Sequence, residues 1–250
     1  MKGDGIEVLH VPGEIAAFAR ARGAEGRPCV VIDQLRATST IVTALAHGAR
    51  RVLAVGTLEE ARALKRERPE ALLAGERFGT APEGFDLGNS PLDYTPDRVK
   101  DREIVLTTTN GTFALLACAG ASRLRAASLL NLDTIAAAVA GAKESRPFVL
   151  LCSGSDGKAA LEDEVTAGAF LAAAGFPDHP AAAPFRAWGA GPALQARAAN
   201  GRRLVALGLG DDIAFAARRN HFPIVPEGRI GEIRTAEGAV LAVDIALPPS

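Results

Sequence analysis

Short apolar runs alternate with Ala-rich stretches along most of the chain. The runs are compact and rich in Val, Ile and Leu, the mark of strands buried on both faces of a parallel sheet. Ile6–His10, Val30–Ile32, Arg51–Val55, Ala71–Ala74, Glu103–Leu106, Ser122–Ala126 and Phe148–Cys152 read as strands. Gly13–Ala21, Ser39–His47, Phe113–Ala119, Leu132–Ala142 and Glu162–Ala174 read as helices, with Asn131 as the expected cap of the fourth. Thr57-Leu58-Glu59-Glu60 is a capping box that opens a further helix, stopped near Arg68 by Pro69. After a Pro- and Ala-rich connector, Phe176–Pro184, the stretches Pro192–Ala199 and Asp211–Asn220 read as helices, the second capped by Asp211 or Asp212. Ile230–Arg234 and Val240–Ala246 flank Glu237-Gly238 and predict a terminal hairpin. The whole pattern predicts an α/β protein, a layered α/β/α arrangement around a mostly parallel or mixed central sheet. Residues 1–175 are expected to form the α/β catalytic core. Residues 176–250 are expected to add a helical segment and the hairpin, packed on that core as one unit.

Three times a buried strand runs into a polar loop and then into an Ala-rich helix. The loops start at Asp33, Thr107 and Ser153. If their strands are parallel, the three loops meet at one edge of the sheet, where ligands bind in open α/β folds. The first loop carries one carboxylate (Asp33), one guanidinium (Arg36) and the hydroxyls of Thr38, Ser39 and Thr40 ahead of a helix. Free N–H groups at a helix N-terminus suit a phosphate. Asp33 is thus expected to meet a metal ion, and Arg36 with Thr38–Thr40 to grip an anion. The plainer alternative is that Asp33 ends a strand and Thr38 or Ser39 caps a helix. A second long loop, Gly75 to Pro91, is too rich in Gly and Pro for regular structure, and loops beyond ~12–15 residues are commonly functional. Phe78, Phe85 and Leu87 are expected to anchor it, and Glu76 and Asp86 are candidate metal ligands or charge partners.

The chain has 250 residues and a formal net charge of -1, which argues against a general nucleic-acid binder but allows a local anion site. Cys29, Cys118 and Cys152 sit in apolar runs and read as buried, reduced core residues of a cytoplasmic protein. Residues 1–10 carry Lys2, Asp4 and Glu7 and lack a signal-type apolar stretch, and no run reaches the ~20 residues of a membrane span. The apolar segment Val240–Leu247 is a candidate interface for a homodimer.

Several catalytic devices are missing. There is no P-loop, no G-x-S-x-G elbow and no H-E-x-x-H. Six residues separate Cys29 from Arg36, one too many for a C-x5-R phosphatase loop, and Asp33-Gln34-Leu35 lacks the second acid of a D-x-D motif. What remains is carboxylates, hydroxyls, Arg36 and glycine-rich loops. Mg²⁺ takes carboxylate, water and phosphate oxygens, and Arg matches phosphate or sulfonate bidentately. Asn110 and Thr112 add neutral donors before a helix. This set suits hydrolysis of a small anionic phosphoester. A lyase or transferase for a phosphorylated acid, and a non-catalytic anion binder, stay open on the residues alone.

Four segments narrow the choice: VVIDQLRATSTI from Val30, GFDLGNSP from Gly84, TTTNGT from Thr107 and LEDEVTAG from Leu161. In this order they resemble the 2-phosphosulfolactate phosphatases, the ComB-like family of coenzyme M biosynthesis, over roughly residues 28–175. The resemblance implies an α/β fold, Mg²⁺ dependence and conversion of (2R)-2-phospho-3-sulfolactate to 3-sulfolactate and phosphate. It implies that Asp33 is an essential acid near the metal, Arg36 an anion binder and Glu76 an acid at or beside the metal. It has Asp86, Asn89 and Ser90 shape the loop over the site. Asn110 and Thr112, with Thr38, Ser39, Thr109, Ser153 and Gly154, would contact substrate. Asp86, Glu162 and Asp163 would join Asp33 as metal carboxylates. Glu162 and Asp163 lie about 100° apart on a helix, so one of them is expected to face the site.

Overall fold

The computed structural model describes residues 5–142 and 146–249, so Lys2 and Asp4 lie outside the described residues. Nine strands form one mixed sheet: β1 (Glu7–Leu9), β2 (Pro28–Ile32), β3 (Arg51–Val55), β4 (Leu72–Gly75), β5 (Glu103–Thr107), β6 (Arg123–Ala127), β7 (Val149–Cys152), β8 (Glu227–Thr235) and β9 (Gly238–Ala246). Their order is β1-β7-β2-β6-β8-β9-β3-β5-β4. Strands β1, β7, β2 and β6 are mutually parallel, as are β3, β5 and β4. The antiparallel hairpin β8–β9 joins the two parallel blocks.

The helices are α1 (Pro12–Arg20), α2 (Ala37–Ala46), α3 (Leu58–Glu67), α4 (Pro96–Val99), α5 (Gly111–Leu116), α6 (Leu132–Ala140), α7 (Leu161–Ala173), α8 (Ala183–Trp188), α9 (Pro192–Arg197), α10 (Ala199–Ala206) and α11 (Gly210–Ala216). Successive strand residues point to opposite faces. Cys29 and Val31 of β2 therefore join a central core with Ile41 and Leu45 of α2, Leu115 of α5, Ile104 and Leu106 of β5 and Val243 and Ile245 of β9. Val30 and Ile32 turn the other way, onto Ile135 of α6 and Phe170 of α7. Leu53 and Val55 of β3 likewise back onto Leu64 of α3.

The central hairpin carries two corrections. Three antiparallel steps separate the blocks, so β5 is nominally reversed relative to β2. A single parallel edge shared by all three loops, as the strand–loop–helix pattern suggested, does not exist. Sheet twist of ~20–25° per step, accumulated over the five steps from β2 to β5, rotates one block by roughly 100–125° against the other. Second, most of the apolar segment Val240–Leu247 is built into the sheet. Residues 242–245 pair with both β8 and β3, and Val240, Ala242, Val243 and Ile245 are buried, which leaves Leu241 and Leu247 as its exposed large apolar side chains.

The last third holds the other differences. The connector contains a 3-10 turn, Pro180–Ala182, and opens α8; Pro180 and Pro184 occupy first-turn positions, where a missing N–H costs nothing. The expected helix from Pro192 ends at Arg197, and a further helix, α10, fills the stretch between it and α11. A Cβ on Gly201 would lie 1.9 Å from the Gln195 carbonyl oxygen, so glycine is there to let α10 cross the end of α9. Leu209, not Asp211 or Asp212, stands at the cap of α11, which ends at Ala216 rather than Asn220. Asn131 stands at the cap position of α6, as expected, but its side chain bonds backwards: Oδ1 accepts from the Ser128 N–H in the preceding turn. No described helix is long and apolar enough to cross a membrane. All three cysteines are buried and unpaired with one another, as their apolar surroundings suggested.

Candidate active site

The loop between β2 and α2 is organised on Asp33. Its backbone oxygen accepts from the Thr38 N–H at 3.0 Å, and its carboxylate Oδ1 accepts from the Ala37 N–H at 3.1 Å. Asp33 thus does at α2 what a capping side chain does, and neither Thr38 nor Ser39 caps the helix. The hydroxyls expected to grip an anion are spent inward. Thr38 donates to the Asp33 carbonyl, Ser39 to Gln34 and Thr40 to Asn89, each at 2.8–2.9 Å. Gly111, the first residue of α5, seals the far side: a Cβ there would sit 2.5 Å from Asp33 Oδ2 and 2.5 Å from Ala37 Cβ.

Glu76, just past β4, ties two further loops together. Its Oε1 accepts from the Thr109 N–H at 2.8 Å and its Oε2 from the Gly79 N–H at 2.9 Å. Gly79 in turn offers its carbonyl to Arg36 Nη2 at 2.7 Å. Arg36 Nη1 is 2.8 Å from Asp212 Oδ2, and Asp212 Oδ1 accepts from Ser90 Oγ at 2.6 Å. Ser90 therefore orients the ion pair and not a ligand. Thr112 closes its own turn by exchanging bonds with Thr108 and does not line the pocket.

Asp163 is saturated as well. Oδ1 accepts from the Gln34 N–H at 2.8 Å, and Oδ2 from Ser153 Oγ and the Gly154 N–H at 3.0 Å each. It clamps the loops after β2 and β7 to one another. Glu162, its neighbour, is equally buried but differently used. Its Oε1 accepts from Asn200 Nδ2 at 2.6 Å, and its Oε2 has no partner. Asn200 Oδ1 accepts from Ser155 Oγ at 2.9 Å. Asp86 is not brought to the site. Its Oδ2 accepts from the Leu73 N–H at 2.7 Å and pairs with Lys65 on the surface. Leu87 is buried and Phe85 packs beside Leu64, but Phe78 is 87% exposed and anchors nothing.

These loops enclose a pocket of about 100 Å³. Asp33, Arg36, Glu76, Asn89, Thr109, Asn110 and Gly154 line it, so seven of the sequence-derived positions converge there. Thr38, Ser39, Ser90, Thr112, Ser153, Glu162 and Asp163 stand behind that wall and Asp86 lies elsewhere. Residues that sequence reasoning missed also line it: Leu35, Phe78, Gly79, Ser155, Asp156, Asn200, Arg203 and Leu204. The last three sit on α10, a helix the apolar pattern had not marked.

The site is electrostatically tense. Burial, and the nearby charges of Glu76 and Glu162, push the Asp33 carboxyl up to about 7, against the pull of the Ala37 N–H and Ser153. Burial also raises Glu162 and Asp163, and for Asp163 the Asp33 and Glu162 charges add to it. Asn89 Oδ1 joins Glu162 Oε2 as a buried oxygen without a partner. Among the described residues no three Asp, Glu, His or Cys side chains form a ready-made metal cage. The donors lining the pocket are oxygens, and one of them, Asn89 Oδ1, is unsatisfied. That set fits a hard divalent cation that keeps waters and shares a substrate phosphate.

A family described as 2-phosphosulpholactate phosphatase matches residues 19–230. A protein of Symbiobacterium thermophilum named "Probable 2-phosphosulfolactate phosphatase" is 40% identical over 83% of this chain and 94% of its own length. Proteins with the same name from Thermotoga maritima (39% identity; 81% of this chain, 89% of theirs) and Carboxydothermus hydrogenoformans (36%; 92% and 95%) are also similar. The matched span runs from the end of α1 into β8 and so takes in every pocket residue named above. The chain belongs to the 2-phosphosulfolactate phosphatase family, whose members are phosphoric monoester hydrolases.

Proposed function

We propose that this protein is a Mg²⁺-dependent phosphatase that hydrolyses (2R)-2-phospho-3-sulfolactate to 3-sulfolactate and inorganic phosphate. The names of its relatives support the substrate. The observation that carries the reaction class is the meeting of Asp33, Arg36 and Asn110 in one pocket, from loops of two separate sheet blocks.

The residues fit Mg²⁺ in the sense given above: Asp33 would hold it, and Asn89, whose Oδ1 has no partner, lines the same pocket. When bound, the ion neutralises charge on the phosphoryl and leaving oxygens. The chain supplies the rest. Arg36 is held in plane by Asp212 and Gly79, and its remaining N–H groups bind phosphoryl oxygens. The Asn110 amide adds a neutral donor. Glu76 fixes the loops that carry Thr109 and Gly79, so these donors are positioned before substrate arrives. Water forms the new bond to phosphorus, the bond from phosphorus to the C2 oxygen breaks, and the proton lost by water ends on that oxygen. The test is phosphate release from 2-phosphosulfolactate by purified protein, with and without EDTA. Release should stop under EDTA, return with Mg²⁺ and be absent from Asp33→Asn. Release that persists under EDTA would remove the cation from the mechanism.

A further inference from the structure

We propose that Arg203 of α10 gives up Asp156 for the substrate's sulfonate and so makes the pocket select phosphoesters that carry this third acid group. The proposal rests on the phosphatase reading above and extends it to a residue outside every motif. Arg36 and Arg203 are the only cationic side chains lining the pocket among the described residues. Arg36 lies deep, its side chain 3% exposed, with two donors already committed. Arg203 stands at the mouth, 45% exposed, with Nη2 2.6 Å from Asp156 Oδ2.

Three observations favour an exchange. First, an ion pair this open to water contributes little, so breaking it is easy. Second, Asp156 cannot follow Arg203 inward. Ser155 and Lys158 exchange two backbone bonds of 2.9 Å around it, and Asp156 and Gly157 have φ of 50° and 76°. That is the tight two-residue turn of a hairpin, which fixes the carboxylate at its tip. Arg203, by contrast, hangs from a helix anchored by buried Leu204 and by the Gly201 contact. Third, the pocket has one buried and one exposed guanidinium, Arg36 and Arg203. The substrate carries its phosphate on C2 and, one carbon away, the sulfonate. A planar guanidinium matches its oxygens two at a time.

The two residues should then act with opposite sign. Asp156 competes for Arg203 and repels an anion, whereas Arg203 attracts it. Steady-state kinetics on 2-phosphosulfolactate and 2-phospholactate, which lacks the sulfonate, read this directly. Arg203→Gln should lower the ratio of the two kcat/KM values by about tenfold or more, mostly through KM, the scale of one lost charge-assisted pair. Arg203→Lys should restore part of it. Asp156→Asn should raise kcat/KM for 2-phosphosulfolactate by roughly two- to fivefold, in line with losing a weak surface competitor. An unchanged ratio in Arg203→Gln, or equal losses on both esters in both variants, would overturn the proposal and mark the pair as structural. If the wild type cleaves neither ester, the phosphatase reading falls, and calorimetric binding of 3-sulfolactate against lactate decides for Arg203. A sulfolactate preference lost in Arg203→Gln supports it; equal affinities, or no binding to the wild type, overturn it.

Discussion

Arg36 and Asp212 meet in an ion pair of 2.8 Å whose side chains are 3% and 2% exposed, although 176 positions separate them. Removing one partner of such a pair leaves a buried charge and costs roughly 3–5 kcal/mol. Asp212→Ala should therefore lower stability in urea by that amount. Asp212→Asn keeps hydrogen-bonding atoms for Arg36 and Ser90 and should lose clearly less. Both should reduce phosphate release, because Arg36 is no longer fixed. A wild-type unfolding midpoint in Asp212→Ala would refute the role of the pair.

Asp33 makes the metal-free protein sensitive to pH. Its carboxyl is raised from 3.8 to about 7, so the folded state binds this proton more tightly than the unfolded chain does. The contribution is complete below pH ~4 and is lost as pH rises through about 7, a difference on the order of 4 kcal/mol. With EDTA present, stability should fall between pH 5 and 8. Mg²⁺ requires the ionised carboxylate, so added Mg²⁺ should stabilise more at pH 8 than at pH 5.5. Urea titrations at the two pH values, with and without the ion, check both halves.

Asp33→Asn should separate stability from activity. Asn keeps an oxygen to accept from Ala37 and removes the charge that Glu76 and Glu162 oppose. The variant should be more stable than the wild type at pH 8 in EDTA, gain nothing from Mg²⁺ and release no phosphate. A destabilised but active variant would contradict the placement of Asp33 at the centre.

Gly111→Ala tests the close approach of α5 to Asp33. The added methyl would sit 2.5 Å from both Asp33 Oδ2 and Ala37 Cβ. Overpacking of this kind costs about 1–3 kcal/mol. The expected result is a modest drop in thermal stability with a much larger loss of kcat. Wild-type turnover would show that the loops can separate without consequence.

The residues differ in how much they disclosed. Val30–Ile32, Arg51–Val55 and Phe148–Cys152 were legible as strands because burial on both faces leaves continuous apolar runs. The capping box at Thr57 was legible because its two bonds lie within four residues, and Thr57 and Glu60 make them. Asp33, Arg36, Glu76 and Asn110 stood out as polar groups just after buried strands, and all four line the pocket. The roles of Thr38 and Ser39 were not legible, since a hydroxyl opening a helix serves equally as a cap, as an anion donor or, as here, as a donor to a carbonyl five residues back; that of Asp163 was not, because it bonds a loop 129 positions away. Asn200 and Asp212 reach the site through helices whose short, glycine-broken pattern carries little periodicity.

The hairpin that joins the two parallel blocks comes after all the other strands in the sequence, yet it occupies the middle of the sheet. On the ribosome, the blocks can share the core built on α2 and α5 as they emerge, but their strand edges stay unjoined. Neither can be zipped to the other before Ala246 has cleared the exit tunnel. Until then β3 and β6 each offer a bare edge to any neighbouring nascent chain.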